Sequence, residues 1–359
     1  MLKKLDFYII RKFLGTFFFA IALLILIVIV FDISEKIDDF LEKKAPLNAI
    51  LFEYYLNFIP YFVNLFSYLF TFISVVYFTA KMASNSEIVA ILSSGISFRR
   101  FLYPYMISAI FLGLMSFYLA NFLIPVTNRH MMDFEKTYVK NPYQNRDVNI
   151  HMQISPGNIV YLETYNTKTN TGYKFSIEKY DGNRLVSKLN AQRIVWDSID
   201  ETWSIKNYVI RKIGRNTESI VKGDDLDTVI NMRPEEFSFI LEDMKTMNFM
   251  ELRAFIDKER LKGSQNIKEF EVEKHRRIAN PFATIILTLI AVSISSRKVR
   301  GGIGMHLGIG LFITFSFILF QQISTVFATR GNLEPWLAVW IPNLLFAIIS
   351  GFLIRIAPK

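Results

Sequence analysis

Marking every Asp, Glu, Lys and Arg along the chain leaves six uncharged stretches of 19 to 29 residues: Phe13 to Phe31, Tyr54 to Ala80, Phe101 to Asn128, Ile278 to Ser296, Gly301 to Thr329 and Pro335 to Ile354. None shows the polar face kept by a helix lying on a soluble core. Each meets or nearly meets the roughly 20 apolar residues that carry a helix through a ~30 Å hydrocarbon layer. The pattern predicts six transmembrane helices. The first stretch follows Lys3, Lys4, Arg11 and Lys12, as a secretory signal would. It is too long for a signal's apolar region, and FDISEKIDDF after it lacks a small-x-small cleavage site, so it is expected to stay in the membrane.

Between Asn128 and Ile278 lie about 150 residues of mixed polarity, the size of one domain. Apolar and polar positions alternate over Asn158 to Leu162, Tyr173 to Ile177, Arg193 to Trp196 and Thr202 to Ile205. Turn signals separate them at Ser155-Pro156-Gly157, Asp181-Gly182-Asn183 and Asp197 to Glu201. An antiparallel β domain is expected, a sandwich or roll. Near Thr246 the period becomes helical, with Leu252, Phe255, Ile256 and Leu261 in register and Gly263 as the stop; a charged helix from Glu269 to Arg277 then runs into the fourth span. The expected division is residues 1–128 for spans one to three, 129–245 for the β domain, 246–277 for a helical connector and 278–359 for spans four to six.

Composition changes the picture only once the charges are located. The chain has 359 residues, 52% hydrophobic and 20% charged, and its net charge of +9 with a pI near 9.4 invites nucleic acid as a partner. With six spans, both termini share a side with the loops after spans two and four. That side carries twelve basic residues, including Lys81, Arg297, Lys298, Arg300 and Lys359, against only Asp6 and Glu87, a balance of +10; the opposite side sums to −1. The excess is an orientation signal. Short basic loops and both termini are expected in the cytoplasm and the long segment outside it, with no nucleic acid partner.

With no cysteine, the exported domain relies on its core and its membrane tether. His130, His151, His275 and His306 have no metal-ligand spacing, so no metal is expected. No GxxxxGK[ST] phosphate loop occurs, so an enzyme hydrolysing nucleotide by that route is not expected, and power must come from another subunit or a gradient. The spans hold no Asp, Glu, Lys or Arg, which argues against a gradient-driven carrier. Gln321 and Gln322 are expected to bond to a neighbouring helix. Among Gly301, Gly302, Gly304, Gly308 and Gly310, the pair Gly304 and Gly308 fits close helix packing.

The stretch Ala83 to Arg100, ASNSEIVAILSSGISFRR, is the most informative on the basic side. Ser84 followed three residues later by Glu87 reads as a capping box and Gly95 as a C-terminal stop, predicting a helix of about ten residues within 84–95. Ile88, Ile91 and Leu92 share one face. Such a helix either lies flat in lipid headgroups, helped by Arg99 and Arg100, or docks in a groove of a soluble partner through Glu87.

SEIVAILSSG at Ser86 to Gly95 resembles the coupling-helix motif of the LptF/LptG family of lipopolysaccharide export permeases. LDFYIIRKF at Leu5 to Phe13, HRRIANPFA at His275 to Ala283 and the β domain between spans three and four agree with it. The opening and the Arg-Gly-Gly-Ile-Gly run before span five look closer to the LptG branch. The resemblance implies a multi-pass bacterial inner-membrane subunit of an ABC transporter, with a periplasmic jelly-roll-like domain inserted between helices 3 and 4. Its implied partners are an LptF-like permease chain, a homodimeric LptB-like ATPase that binds the ATP and Mg, periplasmic LptC-like and LptA-like proteins, and lipopolysaccharide itself. No cofactor is implied for this chain.

Carried over residue by residue, the ATPase-coupling positions are Ser84, Glu87, Ile88, Ile91, Leu92 and Gly95. An outward-facing cavity for acyl chains implicates Phe17, Ile21, Leu24, Phe312 and Phe315, within a chain of 34 phenylalanines. Lipid phosphates implicate Lys36, Lys43 and Lys44 near the outer end of span one. Family members are commonly basic there, whereas this chain also has Asp32, Glu35, Asp38 and Asp39. The partner chain, bridging divalent cations or a less phosphorylated lipid are alternatives for that role. Two other readings stand beside this one: an ABC-type permease for another amphiphile such as a lipoprotein, and a membrane scaffold or receptor needing no ATPase.

Overall fold

The computed structural model describes residues 3–139, 148–214, 217–237, 241–264, 266–299 and 302–357. Arg300, Gly301 and Lys359, counted above, lie outside the described residues. In chain order the helices are α1 (Lys4–Glu42), α2 (Leu47–Ser84), α3 (Glu87–Ser93), α4 (Phe98–Tyr138), α5 (Phe249–Lys262), α6 (Ile267–Ser295), α7 (Gly302–Thr329) and α8 (Pro335–Ile356). All but α3 and α5 are long and apolar enough to cross a membrane, and each uncharged stretch falls on one of these six. By contacts the chain divides into a helical unit, built from residues up to Val139, Lys245–Phe249 and residues from Lys268 on, and a second unit of Lys140–Met244 and Met250–Ile267.

Four of the spanning helices, α1, α2, α4 and α6, extend well beyond their uncharged stretches. The 39 residues of α1 reach about 58 Å at ~1.5 Å per residue, nearly twice the hydrocarbon thickness. Charge marks the edge of the membrane, not the end of a helix: beyond Phe31 the helix is sustained by pairs such as Asp32 and Lys36, 2.9 Å apart at i,i+4. This overhang packs on the first turns of α2 and the last of α4, where Phe40, Tyr54, Tyr55, Phe58 and Phe134 form an aromatic cluster. A π-helical turn at Ile50–Tyr55 widens the local spacing, and the adjacent Tyr54 and Tyr55 are both buried.

In the helical unit, α1 buries Ile9, Phe13, Phe17 and Ile21 at steps of four residues. The stripe belongs to a core with Phe72, Val75 and Val76 of α2, Phe101, Tyr105 and Leu112 of α4, Leu287 and Ile290 of α6, Phe317 of α7 and Phe346 of α8. Thr79 donates to the Tyr105 hydroxyl at 3.0 Å inside it. Gln321 Nε2 donates to Asn280 Oδ1 at 3.1 Å, joining α7 to α6 by an amide pair as expected. His306 faces the Arg297 carbonyl at 3.0 Å and is buried.

The glycine expectation is corrected. A Cβ at Gly304 or Gly308 meets nothing within 4 Å, so neither glycine sits at a packed crossing. The close approaches are at Gly310, where a Cβ comes 2.9 Å from the Phe72 ring and 3.3 Å from Val76, and at Gly113, where it comes 3.1 Å from the Pro281 carbonyl oxygen. A small-xxx-small spacing states that a helix can approach another, not which face does so.

The second unit holds β1 (Val148–Ser155), β2 (Asn158–Asn166), β3 (Thr171–Asp181), β4 (Arg184–Asp197), β5 (Thr202–Ile213) and β6 (Glu218–Thr228). They form one antiparallel sheet in sequential order, with registers such as Val160 opposite Ile177 and Trp196 opposite Trp203. The alternation expected in β2 to β5 puts Val160, Leu162, Phe175, Ile194, Trp203 and Ile205 on the buried face, covered by Ile230, Met232 and Phe237. Trp203 is fully buried and its indole donates to the Met232 carbonyl at 2.8 Å. The turns at Gly157 (φ 77) and Gly182 (φ 59) need left-handed backbone, which glycine adopts without strain. In α5, Leu252 and Ile256 are buried as the period predicts, but Leu261 is 73% exposed, a correction to the expected apolar face; Gly263 (φ 72) ends the helix.

The glycine contrast is testable by thermal unfolding in detergent. Gly310→Val is expected to destabilise the bundle by about 1–3 kcal/mol through overpacking against Phe72 and Val76, whereas Gly308→Val changes the midpoint little. Equal midpoints for the two variants would refute the packing assigned to Gly310.

Candidate functional site

The linker between α2 and α4 is built differently from its sequence-based expectation. Ser84 is still in the last turn of α2, its hydroxyl donating to the Lys81 carbonyl at 2.8 Å, so the expected Ser84–Glu87 capping box does not form. α2 ends at Asn85, Ser86 takes a left-handed conformation (φ 62), and α3 begins at Glu87. The helix has 7 residues instead of about ten. Gly95 (φ 86) closes it, its N–H donating to the Leu92 carbonyl at 3.0 Å, as the sequence predicts.

The apolar stripe of α3 points inward. Ile88 is 1% exposed and belongs to the core of the helical unit, with Ile91 and Leu92 packed against it half-buried. A partner cannot be gripped by Ile88 without unpacking it. The outward surface of α3 consists instead of Val89, 56% exposed, with Ala90, Ser93 and Ser94, and Glu87 at its edge.

Two polar contacts tie α1 to this region, one to α3 and one to the start of α4. The Glu87 carboxylate accepts from Asn85 Nδ2 at 3.1 Å and from the Tyr8 hydroxyl at 3.3 Å. One turn away, Asp6, buried to 1% exposure, accepts both terminal nitrogens of Arg100 at 2.8 and 2.6 Å, and also the Lys3 backbone N–H at 2.7 Å. The fork geometry of that pair is the strong form of an ion pair. It joins the start of α1 to the start of α4, so Arg100 of the expected basic flank is engaged by Asp6 and part-buried, while Arg99 is exposed. Sequence separations of 79 and 94 residues hid both contacts. The one available signal was that Asp6 and Glu87 are acids isolated among bases.

The expected acyl-chain wall divides in two. Phe312 and Phe315 of α7 are 74% and 56% exposed and Leu24 is half-buried, whereas Phe17 and Ile21 lie in the core of the helical unit and are removed from the wall. The face of α1 that is open consists of Phe18, Phe19, Leu23, Leu26, Ile27 and Val30. Both helices thus present continuous apolar surface with no charged side chain.

At the overhang of α1, Lys36 is committed internally. Its ammonium lies 2.9 Å from Asp32 and 3.1 Å from Glu135 and contacts the Tyr54 hydroxyl, while Tyr54 and Tyr55 each donate to Asp32 at 3.1 Å. This network holds α1 to α2 and α4. A charge paired twice in a half-buried site has little field left for a phosphate, so Lys36 is corrected from phosphate contact to structural tie. Lys43 donates to the Val139 carbonyl at 3.3 Å, and Lys44 adopts a left-handed conformation (φ 52) in the turn after α1.

Six membrane-length helices, an antiparallel sheet inserted between the third and fourth of them, a short helix between the second and third, and bare apolar walls on α1 and α7 agree with one transporter family. No curated protein matches the chain. The family model described as lipopolysaccharide export system permease LptF/LptG matches residues 7–356, nearly the whole chain. The chain therefore belongs to the LptF/LptG family of lipopolysaccharide export permeases.

Proposed function

We propose that this chain is one half of the membrane part of an ATP-driven lipopolysaccharide exporter in a bacterial inner membrane, with both termini cytoplasmic and the β domain periplasmic. The family match over residues 7–356 carries the reading. An LptF-like or LptG-like chain supplies the other half, a homodimeric LptB-like ATPase binds the ATP and Mg, and LptC-like and LptA-like proteins take the lipid onward. The basic linkers on the side of the termini support this orientation.

In this proposal ATPase movement enters through the outward surface of α3. A seven-residue helix is not stable by itself, so α3 keeps its shape because Ile88 is seated in the bundle, and a push on it is a push on the bundle. The Tyr8–Glu87 bond and the Asp6–Arg100 pair pass that displacement to α1. α1 and α7 carry the apolar walls, which suit acyl chains by area and by lack of charge. Bringing walls of two related chains together removes the space for acyl chains and drives the lipid toward the β domains.

Three outcomes follow. Glu87→Ala is expected to cut copurification of the ATPase, or export per ATP hydrolysed, by about tenfold or more, the cost of truncating a desolvated charged contact; normal assembly and export by that variant would remove α3 from the coupling path. Tyr8→Phe, which loses one hydrogen bond worth about 1 kcal/mol, is expected to keep assembly intact while export per ATP falls severalfold. Photocrosslinkers in cells at Phe19 and Phe312 are expected to capture glycolipid and one at the buried Phe17 to capture none; lipoprotein as the sole product would move the chain to another amphiphile.

A further inference from the structure

Within the helical unit, α2, α4, α6 and α7 enclose a cavity of about 320 Å³ that none of the expected site residues touches. Its apolar lining is Leu65, Ala120, Ile124 and Ile318, set beside neutral polar groups such as Asn64 and Ser116. Its rim is charged and unbalanced, since Lys245, Arg276 and Arg277 meet a single carboxylate, Glu273.

The three cations are not equivalent. Arg277 is consumed by the fold: its Nε lies 3.1 Å from Glu273, its Nη1 donates to the Met247 carbonyl at 2.7 Å, and its side chain is 4% exposed. Arg276 lies 3.9 Å from the same carboxylate, contacts the neutral Thr325 hydroxyl at 3.3 Å and keeps 35% of its side chain exposed. The Lys245 ammonium donates to the Tyr61 hydroxyl at 3.0 Å and lies 4.8 Å from that ring's centre. Glu273, bonded to Arg277 and 3.9 Å from Arg276, is the single carboxylate among the described lining residues and faces three cations, which leaves a surplus of positive charge at the cavity. Surplus charge beside hydrocarbon is costly and is relieved by a counter-charge.

The cavity also adjoins a path for apolar chains. Gln322 lines it and is exposed, and on the same helix Phe315 and Leu319 precede Gln322 by seven and three residues, both more than half exposed. One helical face therefore leads from the cationic rim onto the bare wall of α7. A small anion would be served by the cations alone; cations, apolar lining residues and the bare wall of α7 together fit an amphiphile.

We propose that this cavity binds the phosphate-bearing head of an amphiphile, with Arg276 and Lys245 as the anion contacts and the acyl chains laid along Phe315 and Leu319 of α7. The proposal rests on the export reading in taking the amphiphile to be the transported glycolipid. It places the anion contact of this chain among α2, α4, α6 and α7, away from the overhang of α1 where Lys36 is already paired.

The test uses the purified permease complex in lipid nanodiscs, with a photocrosslinker at Phe315. The probes are a phosphorylated acyl disaccharide and the same molecule after phosphatase treatment. Wild type is expected to capture the phosphorylated form at least about tenfold better, as two charge-assisted contacts provide. Arg276→Gln combined with Lys245→Gln is expected to abolish that preference, while Arg276→Lys keeps most of it, and unchanged ATPase copurification shows that the variants are folded. If the double variant retains the preference while Phe312 still captures glycolipid, this inference is overturned and the export reading stands. If a phospholipid is captured in place of the glycolipid with the same dependence on Arg276 and Lys245, the anion site stands and the export reading falls. Complete displacement of the probe by inorganic phosphate would overturn the assignment to an amphiphile.

Discussion

Hydrocarbon solvates neither an unpaired peptide group nor a charge, and this constraint arranges nearly every polar contact of the helical unit. Within the spans, several hydroxyls turn back onto their own helix, as Thr288 does to Thr284, Ser293 to Leu289 and Thr314 to Gly310, and the amide of Gln321 reaches across to Asn280. Full charges collect at the ends, and where they are buried there they are paired: Asp6 with Arg100 at one end of α1, Lys36 with Asp32 and Glu135 toward the other. Such pairs add little net stability, but removing one partner typically costs about 3–5 kcal/mol because it strands the other. They therefore fix which helices are neighbours more than how tightly they are held.

The same constraint explains how α3 can be both small and firmly held. It is attached to α2 through Asn85 and Ser86 and to α4 through Ser94 to Ser97, links too short to flex independently. Ile88 anchors it from below, and Glu87 and Asn85 close its first turn with Tyr8 from α1. A helix with that many attachments and so few residues has no internal freedom in which a push could be dissipated.

How much of this was legible in the sequence depends on the range of the interaction. The six spans follow from absent charge, and four strands with their turns follow from period-two alternation, because both are local. β1 escaped notice, and so did β6, whose ESIVKGDDLDT has scattered charge and a largely exposed face; it is a strand because β5 offers it a ladder. The capping box failed because Ser84 continues α2, and the residue that breaks direction is Ser86. Periodicity placed Ile88 on an apolar face and Phe17 on an apolar helix, but not the neighbour each would meet, so both were assigned outward when both are buried. Lys36 looked like a surface cation because Glu135, 99 residues away, cannot be foreseen as its partner.

Proline is distributed unevenly among the spans. It interrupts the interior of α2 at Pro60, α4 at Pro104 and Pro125, α6 at Pro281 and α8 at Pro342, while α1 and α7, the two helices with bare walls, contain none. A helix without proline keeps its full ladder of hydrogen bonds and resists bending at any one point. α1 then behaves as a stiff rod about 58 Å long, for which a tilt of about 5° about one end displaces the other by roughly 5 Å. Small angular changes near Asp6 and Tyr8 are in this way enlarged geometrically along the rod before they reach Phe40.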